Sequence, residues 1–377
     1  MSNSPLRLSR SIVGKAEADA VSRVIMEDGY LGMGAEVQRF EADIAAYLGV
    51  QPQQVITVNT GTAALHLAVE AVCAPGSEVL VPSLTFVASF QAIRAARCVP
   101  VACEALADTA TIDLADAERR ITERTSAIMP VHYSGNPWQL DAVHEFAARH
   151  RLRLIEDAAH AFGCSSRGRK IGSFGDMVCF SFDGIKNITS GEGGCIIAFD
   201  PEAARVCSDA RLLSVQNDAQ KRFTGARSWD FDVDRQGWRY HMSNIMAAIG
   251  RTQLQRLDSE FAPARRALAA RYREALTDVP GLSLLRLDAE NDVVPHIFPV
   301  RVLHGRKDAV KQALAAAAIP TGVHYKPNHL LSLFGAGSPS LPVTEQLYAE
   351  LATLPLHPGI STHDVDMICA ALKGALQ

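Results

Sequence analysis

Two residues of the 377-residue chain, Asp157 and Lys186, stand where they can act together. Asp157 closes the apolar run that begins Ile155-Glu-Asp, and Lys186 lies just past a second apolar run, Met177 to Phe182. Around Lys186 the glycines at 184, 191, 193 and 194 permit tight backbone turns, so both side chains can meet at one end of a sheet. An acid and a lysine so placed suit pyridoxal phosphate (PLP). Its pyridine nitrogen must stay protonated to draw electrons, and its aldehyde must be held as a Schiff base. Either residue alone is ordinary, since a lysine is usually a solvated charge and a strand-end aspartate usually a helix cap; the pairing carries the reading. Thr60-Gly-Thr-Ala-Ala-Leu65 adds a phosphate cradle, because it follows a strand and opens a helix whose free amides converge on one spot. Gly61 and Thr62 are the expected ligands, and Ser181, on the strand leading to Lys186, can add a hydroxyl.

The elements that must position these groups are legible as a rhythm. Strand-length apolar runs at Val55 to Asn59, Glu78 to Pro82, Cys98 to Glu104, Ala127 to His132, Arg151 to Asp157 and Met177 to Phe182 alternate with helical patterns. Those patterns, at Thr62 to Cys73, Phe86 to Ala95, Leu114 to Ile121 and Leu140 to His150, repeat apolar residues at three-and-four spacing. Such a chain is expected to be α/β, a three-layer structure around a mostly parallel sheet covered on both faces, with ligands at the strands' carboxyl ends. Beyond Ser243 the rhythm changes to a long helical stretch, Asn244 to Leu276, interrupted by Pro263. After it come a strand candidate (His296 to Val302), a helix (Arg306 to Ala318), a loop rich in Pro, His and Gly (Thr321 to Pro342) and a last helix (His363 to Leu376). The expected division is a large cofactor-binding domain over 1–250 and a smaller α+β domain over 251–377.

Composition excludes several classes. Lys plus Arg number 37 against 41 Asp plus Glu, a net charge of −4 that leaves no basic excess for a nucleic-acid backbone. The eight cysteines form no CxxC pair and mostly sit in apolar runs, as small buried hydrophobes do in a reducing compartment. No run is long enough to span a membrane and the N-terminus lacks a signal-peptide core, so a soluble cytoplasmic protein is expected. No metal site is expected: His160 has no second ligand at helical or hairpin spacing.

The chain resembles the sugar aminotransferases of the DegT/DnrJ/EryC/StrS group, fold type I PLP enzymes that act on nucleotide-linked keto-sugars. The likeness runs through Asp28-Gly-Tyr-Leu-Gly-Met-Gly34, Phe40-Glu41, Thr60 to Leu65, Pro82-Ser-Leu-Thr-Phe-Val-Ala88 and the Asp157 to Gly194 block. It continues in Gly237-Trp-Arg-Tyr-His-Met-Ser-Asn244, Gly322-Val-His-Tyr-Lys-Pro327 and Leu354-Pro-Leu-His-Pro-Gly359. It implies that Lys186 forms the Schiff base, that Asp157 pairs with the pyridinium, and that Gly61, Thr62 and Ser181 hold the phosphate. Phe86 matches an aromatic ring stacked on the cofactor. His160 matches a position where many members have glutamine, lying against the cofactor's phenolic oxygen. Arg239 stands where the family usually has an asparagine that reaches across a dimer interface to the partner's cofactor phosphate; the longer arginine either does the same or binds the substrate's pyrophosphate.

The resemblance further implies a homodimer with shared active sites, a transamination from L-glutamate to a keto-sugar, and a place in amino-sugar biosynthesis such as that of lipopolysaccharide O-antigen. The loop Gly322 to His329, with His324, Tyr325 and His329, is similar to the substrate-facing loop of members that aminate C4 of a 4-keto-6-deoxy sugar. C3 amination is the near alternative. A PLP-dependent sugar dehydratase is disfavoured, because that branch carries histidine where this chain has Lys186. A catalytically silent sensor with the same fold is the remaining alternative.

Overall fold

The computed structural model describes residues 5–227 and 229–377. Its centre is a seven-stranded sheet. In chain order the strands are β1 (Val55–Val58), β2 (Glu78–Pro82), β3 (Val99–Cys103), β4 (Thr125–Ile128), β5 (Arg153–Asp157), β6 (Met177–Ser181) and β7 (Gly194–Ala198). Across the sheet the order is β1-β7-β6-β5-β4-β2-β3. The pairs β2–β3, β2–β4, β4–β5 and β5–β6 are parallel, whereas β7 runs antiparallel to both of its neighbours. The six strands read from the sequence are present: β2 has the expected bounds, β4 begins earlier and ends earlier than expected, and the other four are shorter. The seventh is not among those runs, although Gly194-Cys-Ile-Ile-Ala198 is a fully buried strand.

Alternation along the strands decides which side chains reach the site. Val178 and Phe180 of β6 enter one apolar core, together with the helix Ala35–Leu48. Met177 and Cys179 enter the other, built on the helix Gly61–Val72. Ile155 of β5 belongs to that second core, so Asp157 and Ser181, two residues beyond Ile155 and Cys179, emerge on the face where the helix Gly61–Val72 begins. That helix start is pressed against the sheet. A Cβ on Gly61 would stand 2.7 Å from Cβ of Ser181, and one on Gly194 would stand 2.7 Å from the Thr60 carbonyl. Only glycine allows the approach.

The C-terminal part has its own antiparallel sheet of β8 (Leu282–Leu284), β9 (Phe298–Val302) and β10 (Leu351–Leu354), in the order β8-β9-β10. Its core gathers Leu268, Tyr272, Val310, Leu314 and Leu372, and Leu6 from the N-terminal segment packs on it. The boundary expected at 250 falls within the helix Asn244–Arg256, which packs on the large sheet's helices. A π-helical turn, Leu257–Phe261, joins it to the helix Ala262–Leu276, with Pro263 in the first turn where its missing amide costs nothing. Phe261 and Ala262 still belong to the large core and Leu268 to the small one, so the hand-over lies inside this second helix. Among the described residues no helix is long and apolar enough to cross a membrane.

Candidate active site

Asp157 ends β5 buried, its carboxylate accepting the Ser89 hydroxyl at 2.7 Å and the Ala159 amide at 3.2 Å. Burial pushes its pKa up; the Ser89 and Ala159 hydrogen bonds and the charge of Lys186 work against that. Ser89 escaped the sequence reading. It sits in the first turn of the helix Val87–Ala95 and would have been visible only with the knowledge that this helix starts over Asp157.

Lys186 follows β6 in a turn closed by its amide on the Asp183 carbonyl. Among the described residues no hydrogen bond or ion pair engages its Nζ. Burial lowers its pKa to about 8 even though Asp157 and Asp183 both favour the charged form. An amine held near neutrality without a partner is a ready nucleophile and base.

The cradle lies on the same face. Thr60 caps the helix Gly61–Val72 by accepting the Ala63 amide, which leaves the amides of Gly61 and Thr62 without partners among the described residues. The Asn59 amide donates to the Tyr240 carbonyl, so the segment bearing Arg239 runs beside the cradle. Arg239 itself is exposed, and among the described residues its side chain has no hydrogen-bond or ion-pair partner.

Phe86 is the residue just before the helix Val87–Ala95, and its ring is 55% exposed, 5.5 Å from that of Tyr325. An apolar ring left open beside polar groups is suited to cover a flat cofactor. His160 is buried nearby, with a protein group at hydrogen-bond distance of each ring nitrogen. Nδ1 already accepts the Ser134 amide at 3.3 Å, and Nε2 lies 3.0 Å from the Tyr325 hydroxyl. His324 is turned inward, with Nδ1 2.8 Å from the Thr353 hydroxyl, and burial lowers its pKa to about 4. His329 is not free to meet a substrate: Nδ1 is 2.7 Å from the Ser83 hydroxyl and Nε2 3.2 Å from a Glu345 carboxylate oxygen. It ties the loop to the turn before Phe86. Of the three loop residues, Tyr325 alone is brought against the His160 and Phe86 rings.

His296 was read only as the start of a strand. The strand begins two residues later, and the His296 ring, 3% exposed, lies 4.4 Å from that of His160. A cofactor with a phosphate, a basic ring nitrogen and an aldehyde finds one complementary group for each function here: free amides at the cradle, a buried carboxylate on β5 and an unpartnered amine after β6. The residues present fit PLP.

Comparison with known proteins agrees. Residues 12–373 match the DegT/DnrJ/EryC1/StrS aminotransferase family. The chain is 35% identical over 379 aligned positions to dTDP-4-dehydro-2,3,6-trideoxy-D-glucose 4-aminotransferase of Saccharopolyspora spinosa, covering 99% of this chain and 97% of that one. The solved structure of the aminotransferase TlmJ from Streptoalloteichus hindustanus is similar, with a TM-score of 0.92, 32% identity and 99% of each chain covered. DesV of S. venezuelae, solved with a ketimine intermediate, aligns with a TM-score of 0.88 and 34% identity over 96% of this chain and 94% of that one. The chain belongs to the DegT/DnrJ/EryC1/StrS aminotransferase family and is a PLP-dependent sugar aminotransferase.

Proposed function

We propose that this enzyme moves an amino group from L-glutamate to C4 of a nucleotide-linked 4-keto-6-deoxy sugar. The observation that carries the amino-transfer chemistry is the unpartnered Lys186 amine, lowered to about 8, facing the buried carboxylate of Asp157. Support for C4 comes from the Saccharopolyspora spinosa relative, which is named as a 4-aminotransferase of a dTDP-linked 4-keto sugar.

When bound, PLP supplies an electron sink that lets the donor's α-proton leave. The chain's own groups do the rest. The amides of Gly61 and Thr62 and the Ser181 hydroxyl would hold the phosphate, and Phe86 would cover the ring. Asp157 would keep a proton on the pyridine nitrogen, and Ser89, whose hydroxyl donates to it, keeps Asp157 in place. Lys186 would hold the cofactor's carbonyl carbon, and its Nζ, when free and neutral, would take the donor's α-proton and, with the keto-sugar, move a proton in the opposite sense. Because the amino group would stay with the enzyme after the first product leaves and before the keto-sugar binds, ping-pong kinetics are expected.

The reading includes a cytoplasmic homodimer, in keeping with eight free and buried cysteines. Arg239, exposed beside the cradle and with no hydrogen-bond or ion-pair partner for its side chain among the described residues, then reaches the phosphate of the partner's site. Mixing inactive Lys186→Ala and Arg239→Ala subunits should restore part of the activity; a fully active Arg239→Ala enzyme would exclude the shared site. The substrate reading is tested by a panel of UDP-, TDP- and GDP-linked 3-keto and 4-keto sugars with glutamate. The expected product carries its new amine at C4, and exclusive amination at C3 would overturn that part.

A further inference from the structure

The polar atoms around His160 fix where one proton must be. A ring nitrogen that accepts a hydrogen bond carries no proton, and Nδ1 accepts the Ser134 amide at 3.3 Å. Burial holds the imidazole neutral at ordinary pH, its pKa driven well below the usual range, with the charges of Lys186 and His324 adding to the effect. Neutral His160 therefore has its proton on Nε2 and donates it to the Tyr325 oxygen 3.0 Å away. The Tyr325 hydroxyl proton must then point elsewhere, and among the described residues no other hydrogen bond engages that hydroxyl. Burial and the charges of Asp157 and Asp183 keep the phenol protonated.

The frame around the pair is built to keep this arrangement. Ser134 adopts a left-handed backbone, φ 60°, and its hydroxyl donates to the Ile297 carbonyl at 2.7 Å. A non-glycine residue in that region is strained, so the surroundings hold it there. At Gly135, φ 87°, a Cβ would stand 2.8 Å from the His160 carbonyl and 3.0 Å from that of Val294. The neighbouring Tyr133 hydroxyl donates to the carbonyl of His324, the residue before Tyr325. A single turn, 133–135, thus fixes both ends of the relay, and the His296 ring packs against His160.

We propose that His160 is a positioning residue, locked as its Nε2–H tautomer by the Ser134 amide, and that it makes the Tyr325 hydroxyl the hydrogen-bond donor of the pocket, aimed at an oxygen that carries or gains negative charge. This inference rests on the aminotransferase reading of the pocket. The oxygen is either the cofactor's phenolic oxygen or the keto-sugar's carbonyl oxygen, and the chemistry that recognises both is the same.

The tautomer is read without turnover. Nitrogen NMR of the ¹⁵N-histidine-labelled holoenzyme, with His160 assigned by loss of its signals in His160→Gln, should show a neutral ring protonated at Nε2; protonation at Nδ1 or a charged ring would overturn the proposal. A glutamine offers an acceptor oxygen and a donor amide in place of the two ring nitrogens. His160→Gln should therefore keep kcat within about tenfold, whereas His160→Leu and Tyr325→Phe should each lose about 10- to 100-fold in kcat with KM little changed. Equal damage by Gln and Leu in stably folded variants would contradict the relay. The pH titration of the bound cofactor's visible absorbance separates the two targets. A shifted midpoint in Tyr325→Phe marks the cofactor's oxygen; an unshifted midpoint with only the keto-sugar half-reaction slowed marks the sugar's. If Tyr325→Phe changes neither, the proposal falls. A failure of the sugar assignment would appear instead as no turnover of any keto-sugar, with the tautomer and the titration still readable.

Discussion

Glu156 and Asp157 are consecutive acids on one strand, both buried, and the pleat sends them to opposite faces of the sheet. Behind the sheet, Glu156 has His132 Nε2 at 2.8 Å and His144 Nε2 at 3.4 Å. Burial works to raise its pKa, but these two histidines overcome it and bring the pKa below the usual carboxylate range. On the open face, Asp157 receives one hydroxyl and one amide and no cation at ion-pair distance among the described residues, and burial wins, raising its pKa. The fold sets two histidines at ion-pair distance of the acid that it uses as structure. It leaves the other with capacity for a positive charge brought from outside, and a protonated pyridine nitrogen supplies that.

The sharpest way to break this contrast is to neutralise each acid in turn. Asp157→Asn should lower kcat by at least about a hundredfold, because the pyridine nitrogen loses the anion that keeps it protonated, with little loss of stability. Steady-state kinetics beside thermal denaturation would show it, and normal turnover would remove Asp157 from the mechanism. Glu156→Ala should do the reverse. It leaves His132 without its acceptor and removes the anion beside His144, and should cost about 3 kcal/mol of folding stability by denaturant titration, while the folded enzyme keeps kcat within a few-fold.

A smaller effect is expected at the cradle. Gly61→Ala drives a methyl into Ser181, and the displaced helix start should weaken cofactor binding about tenfold in an equilibrium titration, with kcat at saturating cofactor less affected. The gentlest change is in pH. With Lys186 lowered to about 8 in the folded protein and near 10.5 when unfolded, the unfolded chain binds more protons between those values. Stability of the cofactor-free protein should therefore rise with pH across that window because of this group, and Lys186→Met should flatten the rise.

How much of this was legible in the sequence differs from group to group. Asp157, Lys186 and the Thr60 to Leu65 cradle declare themselves because each sits next to a strong periodic signal, a strand end or a helix start. β7 did not, because its five residues follow a glycine cluster that reads as loop, and the antiparallel step in the sheet went with it. The second acid of the pair, Glu156, looked like any strand residue; its histidine partners come from distant segments that only the fold assembles. His329 misled for the opposite reason. Its neighbours suggest a binding loop, but both ring nitrogens are taken by Ser83 and Glu345. The rhythm of the sequence changes at Ser243, whereas the packing passes from the large core to the small one farther along, within the helix Ala262–Leu276.

The central claim is that the open-face pair is the cofactor's anchor, and it can be tested on the purified holoenzyme. Borohydride reduction followed by peptide mass mapping should place the pyridoxyl phosphate mass on Lys186, with loss of the visible absorbance band. Lys186→Ala should show neither the band nor the adduct, and should retain less than about a hundredth of the wild-type rate. An adduct on another lysine, or a Lys186→Ala enzyme above that rate, would contradict the account.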